Sequence, residues 1–194
     1  MRFLHCIAIL AVIGCCLSSS SAQDKLGELR CSNRSLARAV RTLFSTKEFK
    51  SRGVFDDGPH DCRELFDVRY VDLNRDGSSE ILLRGRTGPL CGGVGNCVFY
   101  ILAGDHGRYR ILLETSDYAD RSVMGRQVLR NRTKGYANIR TTGHVRAGAT
   151  SFSVARFNGE RYVESSCPSY EVYDREINGK SHFKLVSCEK FTLD

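Results

Sequence analysis

The sequence predicts a mainly β fold with an N-terminal helix, built as two propeller-blade-like antiparallel sheets and stabilised by disulfides. Three observations lead there. After Glu64, runs of four to seven residues rich in Val, Ile, Tyr and Phe alternate with Gly, Asn and Asp, the punctuation of strands and turns. That strand-and-turn pattern occurs twice in the same order. An even set of cysteines remains once an apolar leader is set aside.

The leader comes first. Arg2 precedes an apolar stretch from Ile7 to Ile13, and small residues follow. This predicts a signal peptide over 1–22, cut after Ser20-Ser21-Ala22. Val12-Ile13-Gly14-Cys15 also fits a lipobox, so a lipid anchor on Cys15 is the alternative. No later stretch is long and apolar enough to cross a bilayer as a helix. About 170 residues remain, enough for one domain with its own core.

Residues 23–64 read as a helix and a loop. Leu36, Val40, Leu43 and Phe44 recur at helical spacing between Cys31 and Lys50. "SRGVFDDGPHDC" is loop chemistry. Residues 65–194 read as the β domain, with repeats over 65–115 and 125–166 and a C-terminal hairpin. Strands are expected at Phe66–Val71, Glu80–Gly85, Val98–Ala103, Tyr109–Glu114, Gln127–Asn131, Ala137–Thr142, Ser151–Phe157 and Tyr162–Glu164. The last two, Tyr170–Asp174 and His182–Ser187, flank Asn178-Gly179, a strong tight-turn signal.

In the repeat, "DGSSEILLRG" from Asp76 aligns with "KGYANIRTTG" from Lys134. Gly77 falls on Gly135, Glu80 on Asn138 and Ile81 on Ile139. Further on, Phe99 falls on Phe152 and Tyr109 on Tyr162. Two sheets that cannot bury a face alone are expected to stack.

Cleavage after Ala22 removes Cys6, Cys15 and Cys16 and leaves Cys31, Cys62, Cys91, Cys97, Cys167 and Cys188. Behind a signal peptide these read as disulfides in a secreted or periplasmic protein. Six cysteines allow 15 pairings. Pairing neighbours is the simplest choice: Cys31 with Cys62, Cys91 with Cys97, Cys167 with Cys188. No C-x-x-C or His-x-His cluster supports zinc.

"YVDLNRDGSSEILL" carries the densest chemistry. Asp72, Asn74 and Asp76 stand at alternate positions, Gly77 permits a reversal, the Ser78 carbonyl can turn inward and Glu80 closes the run. Hard cations take six to eight oxygens, and carboxylates crowded in one turn repel without one. An EF-hand is excluded, because its twelfth position is Leu83 and both flanks read as strands. The alternative is an Asx-type turn that binds nothing.

Strand, D-x-[ND]-x-D-G-x-x-[DE], strand resembles the FG-GAP or VCBS-type repeats of calcium-binding β-propellers. The resemblance implies Ca2+ held by Asp72, Asn74, Asp76, Ser78 and Glu80, with a mainly structural role. It covers Phe66 to Glu114. The second copy replaces most acids with Asn131, Thr133 and Asn138, and a closed propeller needs more blades than two.

"CGGVGNC" reads as a rigid protruding loop able to carry recognition through Gly92, Gly93 and Val94. Arg126, Arg130, Arg132, Lys134 and Arg140 gather around Tyr136, either as solvated charge on the sheet exterior or as a basic face for an anionic polymer. The net charge of +7 fits an anionic partner or a solvated basic surface. No nucleophile-elbow, zinc-protease or paired-carboxylate signature is present, so no catalytic residue is assigned. The expectation is a secreted binding protein whose partner is a protein or an anionic polysaccharide or surface. Two rivals are an inhibitor or adhesin using the 91–97 loop, and a nuclease-like enzyme using arginines with His60 or His106.

Overall fold

The computed structural model describes residues 29–51, 61–86, 88–93, 95–117, 127–178 and 180–191. The expected leader over 1–22, including Cys15, lies outside the described residues, as do His60, Val94 and Arg126.

The chain opens on α1 (Arg34–Phe44), followed by single-turn helices α2 (Lys47–Lys50) and α3 (Cys62–Leu65). Asn33 caps α1, its side chain accepting from the Leu36 amide at 2.8 Å. The helical pattern read from Cys31 to Lys50 breaks at Ser45–Thr46. There the Ser45 and Thr46 hydroxyls donate back to the carbonyls of Thr42 and Leu43, each at 2.7 Å. The Thr46 hydroxyl also caps α2, which makes the break a local competition between side chain and backbone.

Among the described residues ten strands follow in two antiparallel sheets. The first sheet is a meander of β1 (Phe66–Val71), β2 (Glu80–Gly85), β3 (Cys97–Asp105) and β4 (Arg108–Asp117). The second holds β5 (Val128–Thr133), β6 (Tyr136–Arg146), β7 (Ala149–Phe157), β8 (Tyr162–Glu164), β9 (Ser169–Ile177) and β10 (Lys180–Ser187). β5 to β8 also run as a meander. β9 then pairs with β7 over Ala149–Phe152, while β8 pairs with it over Ala155–Phe157. The C-terminal hairpin therefore extends the second sheet.

Several strands outrun their sequence expectation because the turns are short. His106 and Gly107 reverse the chain at φ 45° and 81°, and Lys134 and Gly135 at φ 49° and 85°. Consecutive left-handed residues match the strand twist, so pairing continues up to the turn.

The first sheet is covered on both faces. Ile81, Leu83, Val98, Tyr100 and Leu102 pack against Leu36, Val40, Leu43 and Phe44 of α1. Leu82, Phe99, Ile101 and Leu113 pack against Ala137, Ile139, Ala155 and Phe157 of the second sheet. Strand alternation sends odd and even residues of β2 to opposite layers, so every residue of that strand is buried. An extra residue in β4 opposite Ile101–Leu102 marks a bulge, and Leu112 and Leu113 both join the inter-sheet core.

Disulfides join Cys31–Cys62, Cys91–Cys97 and Cys167–Cys188, with Cα separations of 5.0, 3.8 and 5.3 Å. These are the neighbour pairings. The first ties the approach to α1 to α3, and the third closes the base of the β9–β10 hairpin. Three disulfides point to an oxidising extracellular or periplasmic environment. No described helix is long and apolar enough to cross a membrane.

Candidate functional site

The acidic run forms the connection between β1 and β2. Val71 pairs with Glu80, and residues 72–79 loop out between them. The loop is organised by backbone amides. Asp72 accepts from the amides of Arg75 at 2.6 Å, Asp76 at 3.2 Å and Gly77 at 3.0 Å. Asp76 accepts from the Ser78 amide at 2.7 Å. The Asn74 side-chain oxygen accepts from the Asp76 amide at 3.0 Å, and its NH2 donates to Asp76 Oδ2 at 2.6 Å. Gly77 sits at φ 87°, where a β-carbon is disfavoured. These bonds hold the Asp76 carboxyl below the usual range, the Ser78 amide contributing most and Asn74 next.

Glu80 behaves differently. Only 3 % of it is exposed, and the Leu73 amide donates to its Oε2 at 2.7 Å. Burial raises its pKa above the ordinary value, the Leu73 amide pulls it back, and the charges of Asp76 and Asp72 push it further up. Glu80 is thus turned inward, Asp72 is half-buried and Asp76 is exposed, and the three are not drawn to one point. Among the described residues no three acidic, histidine or cysteine side chains converge at metal-binding spacing. The donor chemistry nonetheless suits a hard cation. All the side-chain donors are oxygens; Asp72 Oδ1 already accepts two amides, while Asp72 Oδ2 and Glu80 Oε2 keep lone-pair capacity. Glu80 is a buried charge beside two like charges, with no cation paired to it among the described residues.

The loop also locks the two sheets together. Leu73 is fully buried in the inter-sheet core. Its carbonyl accepts from the Ala137 amide at 2.8 Å and from the Arg132 guanidinium at 2.7 Å. Arg132 also donates to the Gly135 carbonyl at 2.8 Å. Asn74 donates to the Tyr136 hydroxyl at 3.1 Å, and the Tyr136 ring stacks on Phe157 at 4.1 Å. The basic residues around Tyr136 are put to different uses. Arg132 and Tyr136 hold the acidic loop, Arg130 is exposed on β5, and Arg140 lies over the Phe152 ring at 4.2 Å. Alternation along a strand does not reveal that a loop from another sheet will claim one of its arginines.

The 91–97 loop is also tied down rather than simply protruding. The Asn96 NH2 donates to the His144 carbonyl at 2.9 Å, and the His144 amide donates to Asn96 Oδ1 at 2.7 Å. Gly92 and Gly93 remain exposed at its crown.

Two groupings escaped sequence reasoning. The first is a buried polar cluster between the sheets. The Asp117 carboxylate is wholly buried. It accepts from the Thr142 amide at 2.8 Å and from the Gln127 side chain, and it lies 3.9 Å from Arg84 Nε. Burial raises its pKa, while Thr142, Arg84 and Gln127 pull it back. Arg84 also pairs with Asp67 at 3.7 Å. The one available signal was an arginine inside the apolar run "EILLRG".

The second grouping is a cleft of about 570 Å3 beside the acidic loop. Asp76, Ser78 and Glu80 line one wall, and Asp105, His106 and Arg108 of the β3–β4 turn, with Arg38 of α1, line another. His106 lies 3.8 Å from Asp105.

Comparison with known proteins finds no matching family model, no matching curated protein and no matching solved structure.

Proposed function

We propose that this chain is a binding protein of an oxidising compartment whose 72–80 loop takes a calcium ion in a mainly structural role. One observation carries the reading: a buried Glu80 carboxylate held by the Leu73 amide beside the like charges of Asp72 and Asp76. A divalent cation relieves that repulsion. Asp72, Asn74, Asp76, Glu80 and the Ser78 carbonyl are the residues to hold it. Ordering this loop also orders the inter-sheet seam through the Leu73 carbonyl and Asn74. The motif's resemblance to FG-GAP and VCBS-type repeats, with strands on both sides of the loop, supports the same reading.

The test is thermal melting in chelator and in millimolar-range calcium, on the wild type and on Asp76→Ala. Calcium raises the midpoint of the wild type, because an ion that binds only the folded state stabilises it. Asp76→Ala loses most of that rise. Equal wild-type midpoints in the two conditions would end the metal reading.

An enzymatic reading has one observation in its favour: His106 and Asp105 share the cleft with the acidic loop. It requires hydrolysis of an anionic polymer that disappears in His106→Ala.

A further inference from the structure

The cleft beside the acidic loop is lined by arginines and by acids. Arg38 reaches from α1 over the β3–β4 turn, its Nη1 lying 3.9 Å from the position a β-carbon would take on Gly107. Arg108 follows that turn. Both guanidiniums are exposed, and neither has a partner among the described residues. Arg110, by contrast, is committed to the Glu160 carbonyl at 2.8 Å. Asp76 lines the cleft from the acidic loop, and Asp105 stands opposite Arg108 in the β3–β4 register. Among the described residues neither Arg38 nor Arg108 is paired with an acid of the cleft, and Asp105 lies 3.8 Å from His106.

We infer that this cleft binds an acidic saccharide, with the sugar's carboxylate or sulfate on Arg38 and Arg108 and its hydroxyls on Asp76 and Asp105. The planar guanidinium fork matches a carboxylate or sulfate through paired hydrogen bonds. Ionised carboxylates only accept, so Asp76 and Asp105 require a ligand rich in hydroxyl donors. A nucleic acid backbone supplies anions for the arginines but few hydroxyl donors for the acids. A neutral sugar satisfies the acids and leaves the arginines unused. A sugar carrying an acidic group satisfies both. The inference deepens the binding reading above and rests on it, while the two arginines stand whether or not the loop holds an ion.

Isothermal titration calorimetry of the whole chain tests it. The probes are an oligogalacturonate, a sulfated heparin-derived oligosaccharide, a neutral malto-oligosaccharide and an oligothymidylate, each in calcium and in chelator. The expected result is saturable binding of the carboxylated or the sulfated sugar, and whichever binds identifies the acidic group. Arg38→Ala and Arg108→Ala each weaken that binding about tenfold or more, the scale of one lost charge-assisted hydrogen bond. Both positions are exposed, so the variants keep the wild-type melting midpoint. Failure of both acidic sugars, equal binding of the malto-oligosaccharide or the oligothymidylate, or undiminished binding by both variants overturns the inference. Sugar binding in a protein whose melting ignores calcium removes the metal reading alone. A calcium-raised midpoint without sugar binding removes this inference alone.

Discussion

The connections from β1 to β2 and from β5 to β6 occupy equivalent places in their sheets and share a glycine in the same left-handed conformation, at φ 87° for Gly77 and 85° for Gly135. They use it differently. Between β5 and β6, Lys134 and Gly135 alone join the paired Thr133 and Tyr136. Between β1 and β2, residues 72–79 intervene, carrying two aspartates, an asparagine and one buried leucine. The short turn reverses the chain and stays at the surface. The long one also sends Leu73 into the inter-sheet core and gives its carbonyl to the second sheet. Looping out more residues costs little closure entropy, on the order of 0.6 kcal/mol per doubling. The added length therefore supplies tertiary contacts and a polar site at small expense.

Four changes break or sharpen that contrast, in descending order of effect. Replacing residues 72–79 with Lys-Gly should preserve the β1–β2 pairing, because the second hairpin uses that turn. It should nevertheless destabilise the protein by about 2–5 kcal/mol, the scale of deleting a buried leucine from a core. Leu73→Ala alone should show most of the loss in chemical denaturation, whereas Lys134→Ala should fall within about 0.5 kcal/mol of wild type. A loss confined to the Lys-Gly graft and absent from Leu73→Ala would place the coupling elsewhere in the loop.

Calcium comes next. At a hundredfold excess over its dissociation constant it should add about 2.7 kcal/mol to the wild type and nothing to the Lys-Gly graft. A graft that still responds to calcium would put the ion somewhere other than the loop.

The glycines should be equal. Gly77→Ala and Gly135→Ala meet no atom within 4 Å, so each should cost only the left-handed backbone penalty, about 1 kcal/mol. A clear inequality in denaturation midpoints would mean that the two turns differ in strain as well as in length.

The smallest effect concerns pH. In chelator, Glu80 has a raised pKa in the folded state, so between its ordinary 4.5 and that raised value the native protein binds more protons than the unfolded one. Stability from this group is therefore greater below the window and declines as pH rises through it. Glu80→Gln can still accept from the Leu73 amide and should remove that slope. Asp117 contributes a slope of the same sign from the seam, beginning at its ordinary 3.8, and should persist in Glu80→Gln. Melting across pH 4 to 7 in chelator reads both, and a steeper slope in Glu80→Gln would contradict the assignment.

Much of this architecture was legible residue by residue. The bounds of β1, β2 and β8 follow from runs of β-forming residues ended by Gly, Asn and Asp. The alignment of Gly77 with Gly135 reflects a backbone conformation that favours glycine in both places. The neighbour pairing of the cysteines joins positions 31, 6 and 21 residues apart, and only Cys91–Cys97 closes a short loop. The organisation of the acidic loop was legible only in outline: a curled turn was readable, whereas the turning of Glu80 onto the Leu73 amide was not.

What local pattern carries is strand, turn and loop chemistry, because alternation, turn propensity and capping act between near neighbours in the chain. Which residue meets which across the seam belongs to the tertiary structure. Arg132 reaching Leu73, Asn96 holding His144, Arg84 beside Asp117, and Arg38 sharing a cleft with Asp76 all join positions far apart in the chain. Those meetings depend on how two sheets and a helix stack, and close packing of side chains from all three layers decides that.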